Sequence, residues 1–214
     1  MNIIDLSHPI AEEMPLYPGT PVVRIRKLHG FAQDGYREKQ ITLTTHTGTH
    51  VDAPAHMLES GKTLDRFPLE QFFGEGVALD VSALKGKKIS KSFLVAHKTV
   101  WQKADFILFF TGHDRNWGSE AYFSDFSVLT IEAVEFLLRS QKLKGIGFDT
   151  ISADAMESTE YPIHRRLMGA DCLIIENLTN LAQVAGQRFT FSIFPLAVTD
   201  ADGFPVRAAA IMNF

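Results

Sequence analysis

The sequence predicts a mixed α/β domain, and three observations carry that reading. Short apolar runs at Phe106–Phe110, 146–148 and Leu173–Glu176 are too brief for buried helices and suit strands of a central sheet. Between the first two lies a helical stripe, Ile131, Val134, Leu137 and Leu138, which Ser127 or Thr130 can cap and Glu132 can open. Further strand patterns stand before and after this block. A chain of 214 residues suits one such domain, expected to span residues 1–214.

In chain order, residues 3–6 are apolar and read as a strand. Residues 14–20, MPLYPGT, hold two prolines and a glycine and form a loop whose Tyr17 can wall a binding site. Residues 23–27 alternate apolar and basic side chains, as in a strand with one solvated face. A turn at 33–35 leads to a second alternating run, 37–45, expected to deliver His46 into a site. A turn at 60–62, a short helix at 69–73 and a strand at 77–81 follow. The lysine-rich stretch 85–91 has no interleaved aromatics and reads as a solvated turn. Residues 92–102 suit a helix. Beyond the strand at Phe106–Phe110, the polar cluster 111–117 suits a site rim, with His113 a candidate contact. Pro162 and Gly169 bracket a short helix over 163–168 that carries His164, and Leu173–Glu176 ends in a carboxylate. Residues 189–198 and 206–212 read as strands, with Asp202-Gly203 as a hairpin signal between them.

The stretch that carries chemistry is HTGTHVDAPAH, from His46 to His56. Three of the eight histidines and one aspartate fall within these eleven residues, and imidazole with carboxylate is a transition-metal ligand set. Gly48, the threonines and Pro54 argue against a helix. A straight strand would separate His46 from His50 by about 13 Å, too far for donor atoms that bind one ion at about 2.1 Å. A bend near Gly48, where no side chain restricts the backbone, resolves the conflict. His50 and Asp52 reach one ion from extended chain without it. His8 and His29 stand alone and read as structural or solvated; His97 reads as exposed or lodged against its helix.

This motif resembles the HxGTHxDxPxH signature of the cyclase-like metal-dependent hydrolases, a family that includes bacterial kynurenine formamidase and isatin hydrolase. PLYPGTP, FTGHDRNWG, GIGFDTIS, HRRLMGADCLIIENLTNL and RFTFSIFPLAVTDADGFPVRAAAI resemble further family segments in the family's order. The resemblance implies a swivelling β/β/α type fold with a β-barrel-like sheet and flanking helices. It implies that His46, His50 and Asp52 hold a first metal and that Asp52, His164 and Glu176 hold a second. It also makes His56 the proton donor and acceptor and Tyr17 a substrate contact, where kynurenine formamidases usually carry tryptophan. Two metals sharing a site need bridging carboxylates, and the motif supplies one, so a second from outside it is expected. The activity implied is hydrolysis of carbon–nitrogen bonds in an aryl formamide or a cyclic amide, with one or two divalent ions, zinc first and manganese second. The alternative is a non-catalytic protein whose ion braces the fold.

Composition narrows the partners. Hydrophobic residues make up 45% of the chain, 17 of them Phe, and mean hydropathy is zero, as in a globular protein with a substantial core. The net charge of −4, without a basic tract, argues against nucleic acid and anionic membrane. No apolar run approaches a membrane span and the N-terminus lacks a basic leader, so a cytoplasmic protein is expected. Cys172 is the only cysteine and sits in an apolar run, as a buried small residue would. The family resemblance and the apolar loop of Met14, Leu16 and Tyr17 predict a homodimer or larger homo-oligomer acting on a small molecule.

Overall fold

The structure, a computed structural model, describes residues 1–212. Eleven strands follow in chain order among them: β1 (Asn2–Asp5), β2 (Arg24–His29), β3 (Glu38–Thr42), β4 (His50–Asp52), β5 (Phe73–Asp80), β6 (Phe106–Phe110), β7 (Gly145–Phe148), β8 (Leu173–Glu176), β9 (Arg188–Ser192), β10 (Gly203–Pro205) and β11 (Ala209–Met212). Nine form one mixed sheet in the order β1-β11-β9-β5-β6-β7-β8-β4-β10. Its centre, β5-β6-β7-β8, is parallel, and both flanks are antiparallel. The helices are α1 (Phe31–Asp34), α2 (Lys91–Ala96), α3 (Lys98–Trp101), α4 (Ile131–Leu137) and α5 (Pro162–Met168).

The central strands are apolar on both faces because both faces are covered. In β6, Ile107 and Phe109 pack with Leu94, Leu137 and Leu167 of α2, α4 and α5. Phe106 and Leu108 point the other way, toward Phe189, Phe191 and Val184. On that second side the sheet closes on itself. Ser7, just after β1, bridges Leu178 just after β8, and the Leu6 carbonyl accepts from Thr179 N–H at 3.0 Å. The expected barrel-like mixed sheet with flanking helices is thus present, curled into a half-barrel. Thr130 caps α4 by accepting from Ala133 N–H, as the sequence predicts.

Three expectations about the elements need correction, the first being the strand foreseen over 189–198, which ends at Ser192. The helix foreseen over 92–102 breaks at His97 into α2 and α3, where the His97 ring turns back onto the Phe93 carbonyl at 2.8 Å. Asp202-Gly203 does not form a tight hairpin. β9 and β11 do pair antiparallel, but Gly203 opens β10, which pairs with β4 at the far edge of the sheet. A dipeptide fit for a tight turn is used here because glycine admits a close neighbour. A Cβ on Gly203 would lie 2.5 Å from Cε1 of His46.

Candidate metal centre and active site

The bend expected in the motif lies at Gly48, whose φ is +62°. It brings the rings of His46 and His50 to 5.1 Å. A side chain at Gly48 would also strike Met14, which folds inward over the bend from the 14–20 loop. Beyond it, β4 is held between β8 and β10, and its register sets His50 opposite Glu176. Residues in register share a face, so His50, Asp52 and Glu176 point to one side. That side is the helical one, where α5 delivers His164. A single 3₁₀ turn, Pro54–His56, then folds His56 back against His46, with ring centroids 3.8 Å apart. Every ligand and proton carrier that the motif and the resemblance nominate is therefore brought together.

Hydrogen-bond partners assign the ring nitrogens. His50 Nδ1–H donates to the Gly48 carbonyl at 2.8 Å, His164 Nδ1–H to Asp154 at 2.7 Å, and His46 Nε2–H to Asp202 at 2.9 Å. The opposite nitrogens all point inward at carboxylate oxygens. His46 Nδ1 is 2.6 Å and His50 Nε2 3.0 Å from Asp52 Oδ1; His164 Nε2 is 3.1 Å from Glu176 Oε1. Neutral imidazoles would set lone pair against lone pair there, so the arrangement calls for protons or a cation.

Burial alone would strip charge from these histidines. Asp52 and Asp202 nevertheless hold the His46 imidazolium up to about 10, and Asp154 and Glu176 do the same for His164. His50 is raised as well, against its burial, by Asp52. Burial would raise the Asp52 carboxyl, but the charged His50 and His46 keep it well below the ordinary carboxylate range. Asp52 Oδ2 is buried without a hydrogen-bond partner among the described residues, and His164 Nε2 stands 3.9 Å from it. A buried anionic oxygen without a donor is costly unless a cation faces it. The donor set therefore fits a divalent metal: His46, His50 and Asp52 form one group of convergent atoms and Asp52, His164 and Glu176 another, sharing Asp52.

The cluster opens into a cavity of about 450 Å³. Tyr17, His56, Met57, Ile151, Tyr161 and Asn177 are among its walls, and the Tyr17 and Tyr161 hydroxyls meet at 3.5 Å. Burial and the Tyr161 hydroxyl push the Tyr17 phenol up to about 12, so Tyr17 enters the site neutral. His113 does not reach the rim; its Nε2 bonds the Tyr122 carbonyl at 3.0 Å. His8 stacks flat on Trp117 at 3.7 Å, and His29 lies between Asp34 and Glu38 on the β2–β3 hairpin. Cys172 is buried as expected, and burial raises its thiol to about 12. Sequence reasoning misses Asp154 and Asp202, which stand behind two of the histidines, and Tyr161, whose left-handed backbone (φ 48°) tips its ring toward His164. Among the described residues no helix is long and apolar enough to cross a membrane.

A model of the family described as Putative cyclase matches residues 4–155. The chain is 30% identical over 207 residues to a kynurenine formamidase of Geobacillus thermodenitrificans, an alignment covering 96% of this chain and 95% of that protein. The solved structure of isatin hydrolase A from Ralstonia solanacearum matches with a TM-score of 0.88 at 25% identity, covering 99% and 92% of the two chains. That of a potential metal-dependent hydrolase with cyclase activity matches with a TM-score of 0.82 at 27% identity, covering 98% and 96%.

Proposed function

This chain belongs to the Putative cyclase family, and from that premise we propose that it is a metal-dependent hydrolase of carbon–nitrogen amide bonds, acting on an aryl formamide or a cyclic amide of isatin type. The observation that carries the reading is the set of three histidines, each tied outward to an oxygen and each aiming its other nitrogen at Asp52 or Glu176 beside an orphaned carboxylate oxygen. His46, His50 and Asp52 would hold one ion and Asp52, His164 and Glu176 a second. Mixed nitrogen and oxygen ligation suits zinc first and manganese second. When bound, such an ion lowers the pKa of water to about 7 and polarises a carbonyl.

The chain's own groups supply the rest. His56 lines the cavity outside those two groups and converges with His46 and Asp202 in a third, more exposed set. It takes the proton from the attacking water and returns it to the departing nitrogen. Tyr17, Met57, Ile151 and Tyr161 offer flat and apolar surface for an aromatic ring, and Met14 anchors the loop that carries Tyr17 over the motif. The protein would work as one domain of residues 1–214, in the cytoplasm, as a homodimer or larger assembly.

A purely structural ion is the alternative, but such sites close their shell with protein ligands. This one faces a cavity and keeps a spare histidine beside it. The deciding experiment is a screen of the zinc- and manganese-loaded protein against aryl formamides, isatin and lactones. Turnover of an amide supports the reading; retained metal and raised stability with no turnover of any of them would overturn it.

A further inference from the structure

We propose that Asp202 is a positioning residue that uses one carboxylate oxygen to orient both the ligand His46 and the proton carrier His56. The inference rests on the hydrolase reading above and concerns a residue outside both ligand groups of that reading. Asp202 Oδ2 accepts from His46 Nε2–H at 2.9 Å and faces His56 Nδ1 at 3.5 Å. The two rings lie against each other, 3.8 Å between centroids and 35° between planes, so one acceptor at their common edge serves both.

The backbone around Asp202 is held in place. Its carbonyl accepts from Ala53 N–H at 2.8 Å, the Ala201 carbonyl accepts from Leu64 N–H at 2.8 Å, and Gly203 begins the strand that pairs with Asp52. The carboxylate is therefore anchored to the same stretch of chain that carries both histidines. Its side chain is 40% exposed, where ion pairs add little stability, so a structural role alone does not explain its placement. Asp202 is also absent from the cavity walls, so it acts on substrate only through the histidines.

The consequence is a choice of nitrogen. An acceptor at His46 Nε2 fixes that ring with Nδ1 free toward Asp52, the nitrogen a metal needs. The same oxygen draws the His56 proton to Nδ1 and leaves Nε2 as the bare acceptor for a proton from water. A carboxylate that orients a ligand histidine contributes about 10–100-fold to metal affinity or activity.

The test compares wild type with Asp202→Asn in the full-length, metal-loaded protein. On an amide that wild type hydrolyses, the variant should keep KM within about two-fold and lose about 10–100-fold in kcat. Its metal dissociation constant, from chelator competition, should rise by a similar factor at unchanged stoichiometry. Imidazole ¹⁵N spectra of metal-loaded wild type should show His46 protonated at Nε2 and His56 protonated at Nδ1. A variant with unaltered kcat and metal affinity would overturn the inference. So would loss of a whole metal equivalent at saturation, which would make Asp202 a ligand together with His46 and His56. A wild-type His56 protonated mainly at Nε2 overturns it without any variant, which covers a failure of Asp202→Asn to fold. If wild type hydrolyses no amide, the hydrolase reading falls, while the spectra and the metal affinity still decide the role of Asp202.

Discussion

Around Asp52 the carboxylates favour the charged form of the histidines that face them. The carboxylates beside them hold His46 and His164 up to about 10, so at pH 7 each of these two gives up a proton to become a ligand; His50 is raised as well. Metal binding should then release at least one proton from each of His46 and His164, falling as the pH rises past 10. Titration calorimetry in buffers of different ionisation enthalpy measures this, and release near zero at pH 7 would contradict the geometry. Under the proposed reading His56 carries the proton and not the metal. His56→Ala should keep its metal and lose about 10²–10⁴-fold in rate; loss of metal in step with activity would make it a ligand instead. At this scale the motif was legible because its candidate ligands lie within eleven residues and a straight strand would hold His46 and His50 too far apart to share an ion. His164 and Glu176 carry no such signal and came from the resemblance. Asp154 and Asp202 were silent, since an outer carboxylate is recognised only by the nitrogen it faces.

Two glycines decide how the elements meet. The bend at Gly48 was legible as a conflict between ligand distances and strand geometry, and its φ of +62° resolves that conflict. Gly203 was misread because the same dipeptide that marks a hairpin also marks a close approach, and one chain alone does not show which. The approach is the imidazole of His46, lying where a Cβ would be. Gly203→Ala should therefore displace the ring, costing about 1–3 kcal/mol of stability through overpacking and weakening metal binding as well. Chemical melts of the metal-free form and chelator competition measure the two effects. Unchanged values in both would mean that His46 can turn aside freely. The strands β6 and β8 needed no such help, because a continuous apolar run of strand length has few other places to go.

Over the whole molecule, the β2–β3 hairpin stands apart from the main sheet as a two-stranded piece. Leu28, Phe31, Tyr36 and Ile41 on it are exposed, and an isolated pair of strands is marginal in water. A second copy of the chain covering this arm would explain both facts. Light scattering at micromolar concentration should give a mass of at least twice 23.9 kDa; a monomer mass would refute the assembly. Acid tolerance is a second global property. Burial against Trp117 depresses His8 to about 4 from its ordinary 6.5. A depressed histidine stabilises the fold above its unfolded value and loses that contribution as pH falls through its folded value, here between about 6.5 and 4. After allowance for its partial exposure the loss is about 1–2 kcal/mol. His8→Phe, which keeps the stacking, should lose less stability than wild type between pH 7 and pH 4; equal losses would show that His8 does not titrate as its surroundings require. The curl of the sheet was not legible from composition or periodicity, because the contacts that make it, such as Ser7 with Leu178, join remote parts of the chain.

The placement of β4 between β8 and β10 also sets an order of events. This three-residue strand has neighbours only after the parallel centre has formed and the tail of the chain has returned across the molecule. Contacts so distant in sequence are slow to form, so under the proposed reading an ion held by β4, β8 and α5 would be captured late in folding. At a hundredfold excess over its dissociation constant such an ion adds about 2.7 kcal/mol. Under that reading the lifetime of this protein in a cell would follow the metal supply, so that scarcity would remove the protein itself along with its activity.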